Sequence, residues 1–154
     1  MSAFCADNNV TVAAVATAAT ALYLSRMSGH DDVALSLPVS ARTNALLRRS
    51  GGMVSNVVPI RAKIGEHTTV AEYLAQVAAE LSGALRHQRF RFEDMTRQSD
   101  GAVADRGFFG PVVNIMMFRG ETALWHSTGR SYVLSPGPID DLAFTVYTGG
   151  GDLR

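Results

Sequence analysis

Residues 52–61 form a short segment in which one amide side chain stands among apolar neighbours. The amide belongs to Asn56. A polar amide placed where a strand bends can point into a channel and form a hydrogen bond with a carbonyl or an amine. The alternative is that Asn56 uses the same groups to hold a turn. The segment therefore offers either a substrate contact or a structural hydrogen bond, and the sequence leaves both open.

Residues 87–93 form a second polar segment, which follows the end of a predicted helix. Arg86 and His87 complement the negative carboxyl end of that helix, and we expect Phe90 and Phe92 to pack against the protein. This pattern favours a structural role for the segment over a catalytic one.

Other catalytic and metal sites are not predicted. The glycines at 149–151 are not followed by Lys-Ser or Lys-Thr, and no Gly-x-Ser-x-Gly is present. The histidines lack a second His or Cys at ligand spacing. They are His30, His67, His87 and His126. We interpret residues 30–32 (His-Asp-Asp) as a surface turn and Cys5 as an unreactive thiol. The sequence thus predicts no metal site and no complete catalytic constellation.

Composition indicates a globular protein of one domain or one large subdomain. The chain has 154 residues, of which 47% are apolar and 18% charged, and its basic and acidic residues balance at 14 each. This balance does not favour a nucleic-acid partner, and we interpret the basic clusters as solvated faces. A single cysteine fits a reducing cytoplasm. The apolar stretch 10–24 is too short and too rich in Ala and Thr to span a membrane, and no secretion signal is evident.

The first half of the chain alternates helix and strand. A helix is predicted from Val10 to Met27, capped by Asn8 or Asn9 and ended by Gly29. A strand over 33–39 follows, then a polar connection over 40–52 and a second strand over 54–64 that is interrupted or bent at Pro59.

The second half begins with a helix whose first residues form a recognisable cap. Thr69 and Glu72 form a Thr-x-x-Glu capping box ahead of apolar residues at helical spacing. A short helix from Phe92 to about Arg97 is predicted, then a loop over 99–110 and a buried strand over 112–118. Further strands are expected near Trp125 and at 132–134 and 142–147. Together the elements predict an α/β fold with a mixed sheet flanked by helices.

In their order and spacing the two polar segments resemble late motifs of the condensation domains of nonribosomal peptide synthetases. The first matches the Gly…Asn…Arg pattern of that family at Gly52, Asn56 and Arg61. The second is similar to His-Gln-x-x-Pro-Phe-Glu, with Arg91 in place of Pro and matches at His87, Gln88, Phe92 and Glu93. Two Gly-Pro segments, one containing Asn114 and one containing Asp141, look like those of siderophore-type synthetases.

The resemblance implies one half of a chloramphenicol acetyltransferase-like fold, in which two α/β halves form a tunnel. Donor and acceptor groups enter on the phosphopantetheine arms of peptidyl carrier proteins and are joined by an amide bond. No cofactor is expected to bind directly. By resemblance Asn56, with Gly52 and Arg61, would line the substrate channel.

The family's catalytic His-His-x-x-x-Asp-Gly is absent from these residues. We therefore expect residues 1–154 to be part of the C-terminal subdomain, cut at both ends. The chain would be inactive by itself, would require the N-terminal half and would tend to self-associate. Two alternatives are a related O- or N-acyltransferase of the same fold and a non-catalytic interaction module.

Overall fold

A four-stranded mixed sheet with helices packed on one face forms the framework of the protein. The computed structural model describes residues 2–98, 109–116, 121–130, 134, 135, 137, 139 and 141–147. Its elements are α1 (Ser2–Asp7), α2 (Val12–Ser28), β1 (Asp32–Val39), α3 (Ala45–Arg49), β2 (Asn56–Lys63), α4 (Val70–Arg86), α5 (Phe92–Gln98), β3 (Val112–Met116), β4 (Glu121–Leu124), β5 (Ser127–Arg130) and β6 (Ala143–Tyr147). The predicted α/β class with a mixed sheet is confirmed.

The strands lie in the order β2-β1-β3-β6. The β1–β2 pair is antiparallel and runs from Asp32 opposite Lys63 to Val39 opposite Asn56. The β1–β3 and β3–β6 pairs are parallel. Strands β4 and β5 form a separate hairpin, and the expected strand at Trp125 is instead the turn of that hairpin, where Trp125 has a φ of 49°.

The hydrophobic core lies between the sheet and the helices α2 and α4. Alternate side chains of β1 and β2 enter it, because successive residues of a strand point to opposite faces. Leu35, Ile60, Val77 and Val113 are among its fully buried members. Full burial of such a side chain is worth about 1.5–3 kcal/mol, so this interface fixes β2, which carries most of the first polar segment, and α4, at whose end the second polar segment begins.

Helix α4 confirms the predicted capping box. The Thr69 hydroxyl accepts a hydrogen bond from the Glu72 N–H at 3.3 Å, and the Glu72 carboxylate accepts one from the Thr69 N–H at 2.9 Å. The Thr69 hydroxyl also donates to the Glu72 carboxylate at 2.7 Å, and this bond, together with the one from the Thr69 N–H, lowers the pKa of Glu72. Leu74 and Val77 of the predicted apolar face are buried, whereas Val70 is 70% exposed because it lies in the first turn, beyond the edge of the core.

Helix α2 ends as predicted but begins later. Gly29 closes it in the left-handed conformation with a φ of 73°. Its N-cap is Thr11, whose side chain accepts from the Ala14 N–H at 3.1 Å, so the predicted caps Asn8 and Asn9 are wrong. The physical reason is that the residues before them form the separate helix α1, whose end is followed by Asn9 at a φ of 51°.

The predicted polar connection over 40–52 contains the short helix α3, which the sequence pattern did not indicate. Asn44 caps it by accepting from the Leu47 N–H at 2.8 Å. Pro59 lies within an unbroken β2, which has one neighbouring strand in the described sheet, so its missing N–H can be tolerated.

Several predictions lie outside the described residues: most of the loop 99–110, the end of the strand over 112–118, Tyr132 and Val133, and the glycine-rich end. Among the helices that the structure describes, none has the length and apolar character to cross a bilayer.

Candidate functional site

Asn56 connects the two polar segments that the sequence singled out. Its Nδ2 donates hydrogen bonds to the backbone carbonyls of Gln88 at 2.9 Å and Phe90 at 2.6 Å. Its Oδ1 accepts one from the backbone N–H of Phe92 at 3.1 Å. The orientation of the amide is fixed by its partners, because carbonyls can only accept and an N–H can only donate. Asn56 therefore holds the turn that joins α4 to α5.

A groove of about 380 Å³ opens beside this connection. One wall comes from the residues between β1 and β2, and the other from the turn held by Asn56. The first wall is mainly apolar and consists of Ala41, Leu47, Met53 and Val54 together with Ser55. The second wall is polar and consists of Gln88, Arg89, Arg91 and Glu93. Such a groove, apolar on one side and polar on the other, suits a flexible ligand with an apolar chain and amide or charged groups.

Arg42 shapes the apolar wall. Its guanidinium donates to the backbone carbonyl of Leu47, to that of Ser50 at 2.8 Å and to that of Gly52 at 2.7 Å. A cation at the carboxyl end of a helix satisfies terminal carbonyls, here that of Leu47 in α3 and that of its C-cap Ser50. Sequence reasoning missed Arg42, because a single Arg ahead of a Ser- and Gly-containing turn is a weak signal.

The segment between β1 and β2 that forms this wall contains two residues with positive φ. Gly52 has a φ of 87° with open space around it, so its backbone conformation, rather than a lack of room, requires Gly. Ala41 is buried and has a φ of 50°, which is uncommon for a residue with a Cβ and costs about 1 kcal/mol or more. This strained residue lies where the chain turns from β1 into the groove wall.

The residues of the second segment take separate positions around the turn. His87 is the C-cap of α4, and its N–H bonds to the carbonyls of Gly83 and Ala84. The Gln88 side chain donates to the Leu85 carbonyl at 2.8 Å. Phe92 begins α5 and stacks edge-on against Phe109, while Glu93 lies in the first turn of α5 and lines the groove.

Arg61 does not lie with Asn56. Side chains alternate along β2, and Asn56 is opposite the core residue Val39, whereas Arg61 is opposite the exposed Ala34. The two side chains therefore point to opposite faces of the sheet. Arg61 forms a bidentate ion pair with Asp32, with Nε–Oδ1 at 2.8 Å and Nη2–Oδ2 at 2.5 Å. The hydrogen bonds from Arg61 lower the pKa of Asp32, and this pairing raises the pKa of Arg61.

Asn114 and Asp141 lie away from the groove. Asn114 is opposite Thr145 in the β3–β6 pair and alternates with the buried Val113, so it shares the sheet face of Arg61. Asp141 is exposed just ahead of β6. The structure thus gathers Asn56, Gln88 and Glu93 around the groove, places Gly52 next to the lining residue Met53, and separates Arg61, Asn114 and Asp141 from the groove.

The part of the chain that the structure describes contains no group of three His, Cys, Asp or Glu side chains that could hold a metal ion. Cys5 is a buried free thiol in α1.

Known proteins match the chain in sequence. The profile of the condensation domain family matches residues 1–133. A dimodular nonribosomal peptide synthase of Bacillus subtilis (strain 168) is 32% identical over 142 residues, which cover 91% of this chain and 6% of that protein. The isonitrile lipopeptide synthase of Streptomyces coeruleorubidus is 34% identical over 141 residues, covering 92% of this chain and 10% of that protein. The chain thus spans about a tenth or less of the length of these relatives.

Solved structures match it in fold. The starter condensation domain of rhizomide synthetase, in a mutant form with C8-CoA, superposes with a TM-score of 0.82 at 35% identity, over 92% of this chain and 33% of that one. The first condensation domain of the CDA synthetase gives a TM-score of 0.80 at 33% identity, over 94% of this chain and 32% of that one. The two polar segments, the mixed sheet and these matches lead to one conclusion: the chain belongs to the condensation domain family.

Proposed function

We propose that the chain supplies one wall of a condensation channel, in which an amide bond forms between a donor acyl group and an acceptor aminoacyl group. Both groups would arrive on phosphopantetheine arms of peptidyl carrier proteins, in the cytoplasm. The chain would work with an N-terminal half that contains the catalytic His-His-x-x-x-Asp-Gly. The observation that carries the proposal is the groove between residues 41–56 and 88–93, because it joins two segments that resemble condensation motifs.

The groove suits a pantetheine arm in size and chemistry. A pantetheine chain has two amides and a thioester joined by short alkyl pieces. Met53 and Val54 can contact the alkyl pieces, while Gln88 and Arg91 can bind amide and carbonyl oxygens. The likeness to siderophore-type synthetases adds a subtype to the proposal, and 31% identity to enterobactin synthase component F of Escherichia coli (strain K12) supports it.

Titration of the chain with an aminoacyl-pantetheine thioester tests this function. We expect saturable NMR shift changes at Val54 and Gln88, and loss of binding in Val54→Asp, which places an unpaired carboxylate in the apolar wall. The matched control is Val70→Asp, because Val70 is exposed in the first turn of α4. Equal affinity of both variants, or no shift at millimolar ligand, would refute the proposal.

By itself the chain should form no amide bond. General acid–base catalysis contributes about 10²–10⁴-fold in typical enzymes, and the sequence lacks the His-His-x-x-x-Asp-Gly to which the family assigns this chemistry. Mass spectrometry of two loaded carrier proteins incubated with the chain should therefore detect no condensed product above the rate without protein. Product formed by the chain alone would contradict the proposal that amide bond formation requires the N-terminal half.

A further inference from the structure

The hydrogen-bonding capacity of the Asn56 side chain is almost fully used inside the protein. An Asn amide offers two N–H donors and one carbonyl oxygen. Both donors and one lone pair of the oxygen bond to backbone groups that lie 32, 34 and 36 residues further along the chain. No N–H remains free to donate to a substrate carbonyl unless an existing bond breaks.

The turn that Asn56 holds carries the polar wall of the groove. Gln88, Arg89, Arg91 and Glu93 line the groove from this turn. Phe90 of this turn is 46% exposed, and Phe92 at its end contacts Phe109, which does not belong to β2. The position of the turn relative to β2 therefore depends strongly on the three bonds of Asn56.

We propose that Asn56 is a positioning residue, which fixes residues 88–92 as the polar wall of the groove and acts on a bound substrate through that wall. This differs from a direct substrate contact, which the resemblance alone implies. The fixing of the wall follows from the hydrogen bonds, whereas the consequence for ligand binding rests on the proposed function.

Asn56→Asp tests the role with little change in size. The carboxylate can still accept from the Phe92 N–H, but it loses both donors and faces the Gln88 and Phe90 carbonyl oxygens, now 2.9 and 2.6 Å from Nδ2. The matched control is Asn44→Asp. Asn44 caps α3 through its side-chain oxygen, and Asp caps a helix equally well. Asn56→Ala removes the bonds without adding a charge and serves if the Asp variant does not fold.

Amide hydrogen exchange on the full 154-residue chain gives the readout. In the Asn56 variants we expect exchange at Phe90 and Phe92 to accelerate about tenfold or more, because local opening then breaks fewer bonds. Exchange at the buried Leu35 and Val77 should stay unchanged, as should all sites in Asn44→Asp. The affinity for the aminoacyl-pantetheine thioester should fall in Asn56→Asp in proportion to the loss of molecules whose wall is in place.

Two results would overturn the positioning role. In the first, Asn56→Asp weakens thioester binding while exchange at Phe90 and Phe92 is unchanged, which would indicate a direct contact. In the second, exchange accelerates equally in β1 and α4, which would make Asn56 a contributor to the whole fold. If the wild type binds no thioester yet exchange at Phe90 and Phe92 accelerates in the variants, the positioning role is supported and the proposed function fails.

Discussion

At the residue scale, Asn56 and Arg42 act alike on the two walls of the groove. Each places side-chain donors on backbone carbonyls of a segment without regular strand pairing. A backbone carbonyl that loses such a partner must be satisfied by water or by a less regular conformation. The groove walls are therefore held by polar contacts, whereas the sheet beneath them is held by apolar packing.

The Asp32–Arg61 pair predicts a pKa shift that can be measured directly. NMR titration should place the pKa of Asp32 below its ordinary value of 3.8 and show that Arg61→Gln raises it. The stability that the pair contributes is present above the pKa of unfolded Asp and is lost as the pH falls through the lowered pKa of the folded state. Lys63→Gln is the control, because Lys63 lowers the pKa of Asp32 less than Arg61 does. An equal or larger effect of Lys63→Gln would contradict the assignment.

The close packing at Gly110 predicts that one added methyl group there will lower the stability of the fold. A Cβ at Gly110 would overlap the backbone carbonyl of Ala34 in β1, which cannot move without disturbing the sheet. We expect Gly110→Ala to lower the free energy of unfolding by about 1–3 kcal/mol in urea denaturation. Gly51→Ala is the matched control, since a Cβ there meets nothing within 4 Å and its φ is not positive. Equal stability of the two variants would be evidence against a tight contact between Gly110 and β1.

At the element scale, the sequence predicted what depends on local chemistry. The capping box at Thr69 and Glu72 places the start of α4 without reference to the rest of the fold. The start of α2 was missed because Asn and Thr are all competent caps, and the separate helix α1 decides which of them acts. The short helix α3 has too few residues for a periodic pattern.

The candidate site was less predictable because its bonds join distant residues. The pattern located Asn56 and the segment 87–93, and it left open a turn-holding role for Asn56. That role needs partners more than 30 residues away, and no local rule predicts their distance. For Arg61 the motif match was misleading. The match groups it with Asn56, but side chains alternate along β2, so Arg61 points to the other face of the sheet.

Helices α2 and α4 are joined by a buried phenol, which gives an element-level prediction. The Tyr73 hydroxyl of α4 donates to the Ala18 carbonyl of α2 at 3.1 Å, and burial raises the pKa of Tyr73 to about 12. Folding thus favours the neutral phenol. The resulting contribution to the free energy of unfolding is present below pH 10 and is lost as the pH rises toward 12. Tyr73→Phe should lower the free energy of unfolding by about 1 kcal/mol at neutral pH. In denaturant titrations it should also reduce the decrease in stability at alkaline pH. Tyr23→Phe changes a half-exposed tyrosine and should leave the alkaline decrease in stability as it is in the wild type. A Tyr73→Phe variant with the same alkaline profile as the wild type would contradict this link.

At the scale of the whole molecule, the groove lies at one end of the β1–β2 pair and is flanked by exposed apolar side chains. Leu46 is 78% exposed and Met53 is 93% exposed, and Phe90 shows nearly half of its surface on the opposite wall. Exposed apolar groups of this kind, gathered around a groove, mark interaction surfaces in soluble proteins. The proposed N-terminal half would supply such a partner.

Without that partner, the same surface predicts weak self-association of the chain. Leu46 and Met53 would each remove apolar area from water on contact with a second copy, at about 25 cal/mol per Å². Sedimentation velocity should show the average mass rising with concentration, because association follows mass action. The double variant Leu46→Gln and Met53→Gln should shift this rise to higher concentration. Val70→Gln changes an apolar residue of α4 that is 70% exposed and lies away from the groove, and it should leave the rise unchanged. A strict monomer at all concentrations, or equal effects of the groove and α4 variants, would show that the groove surface does not mediate self-association.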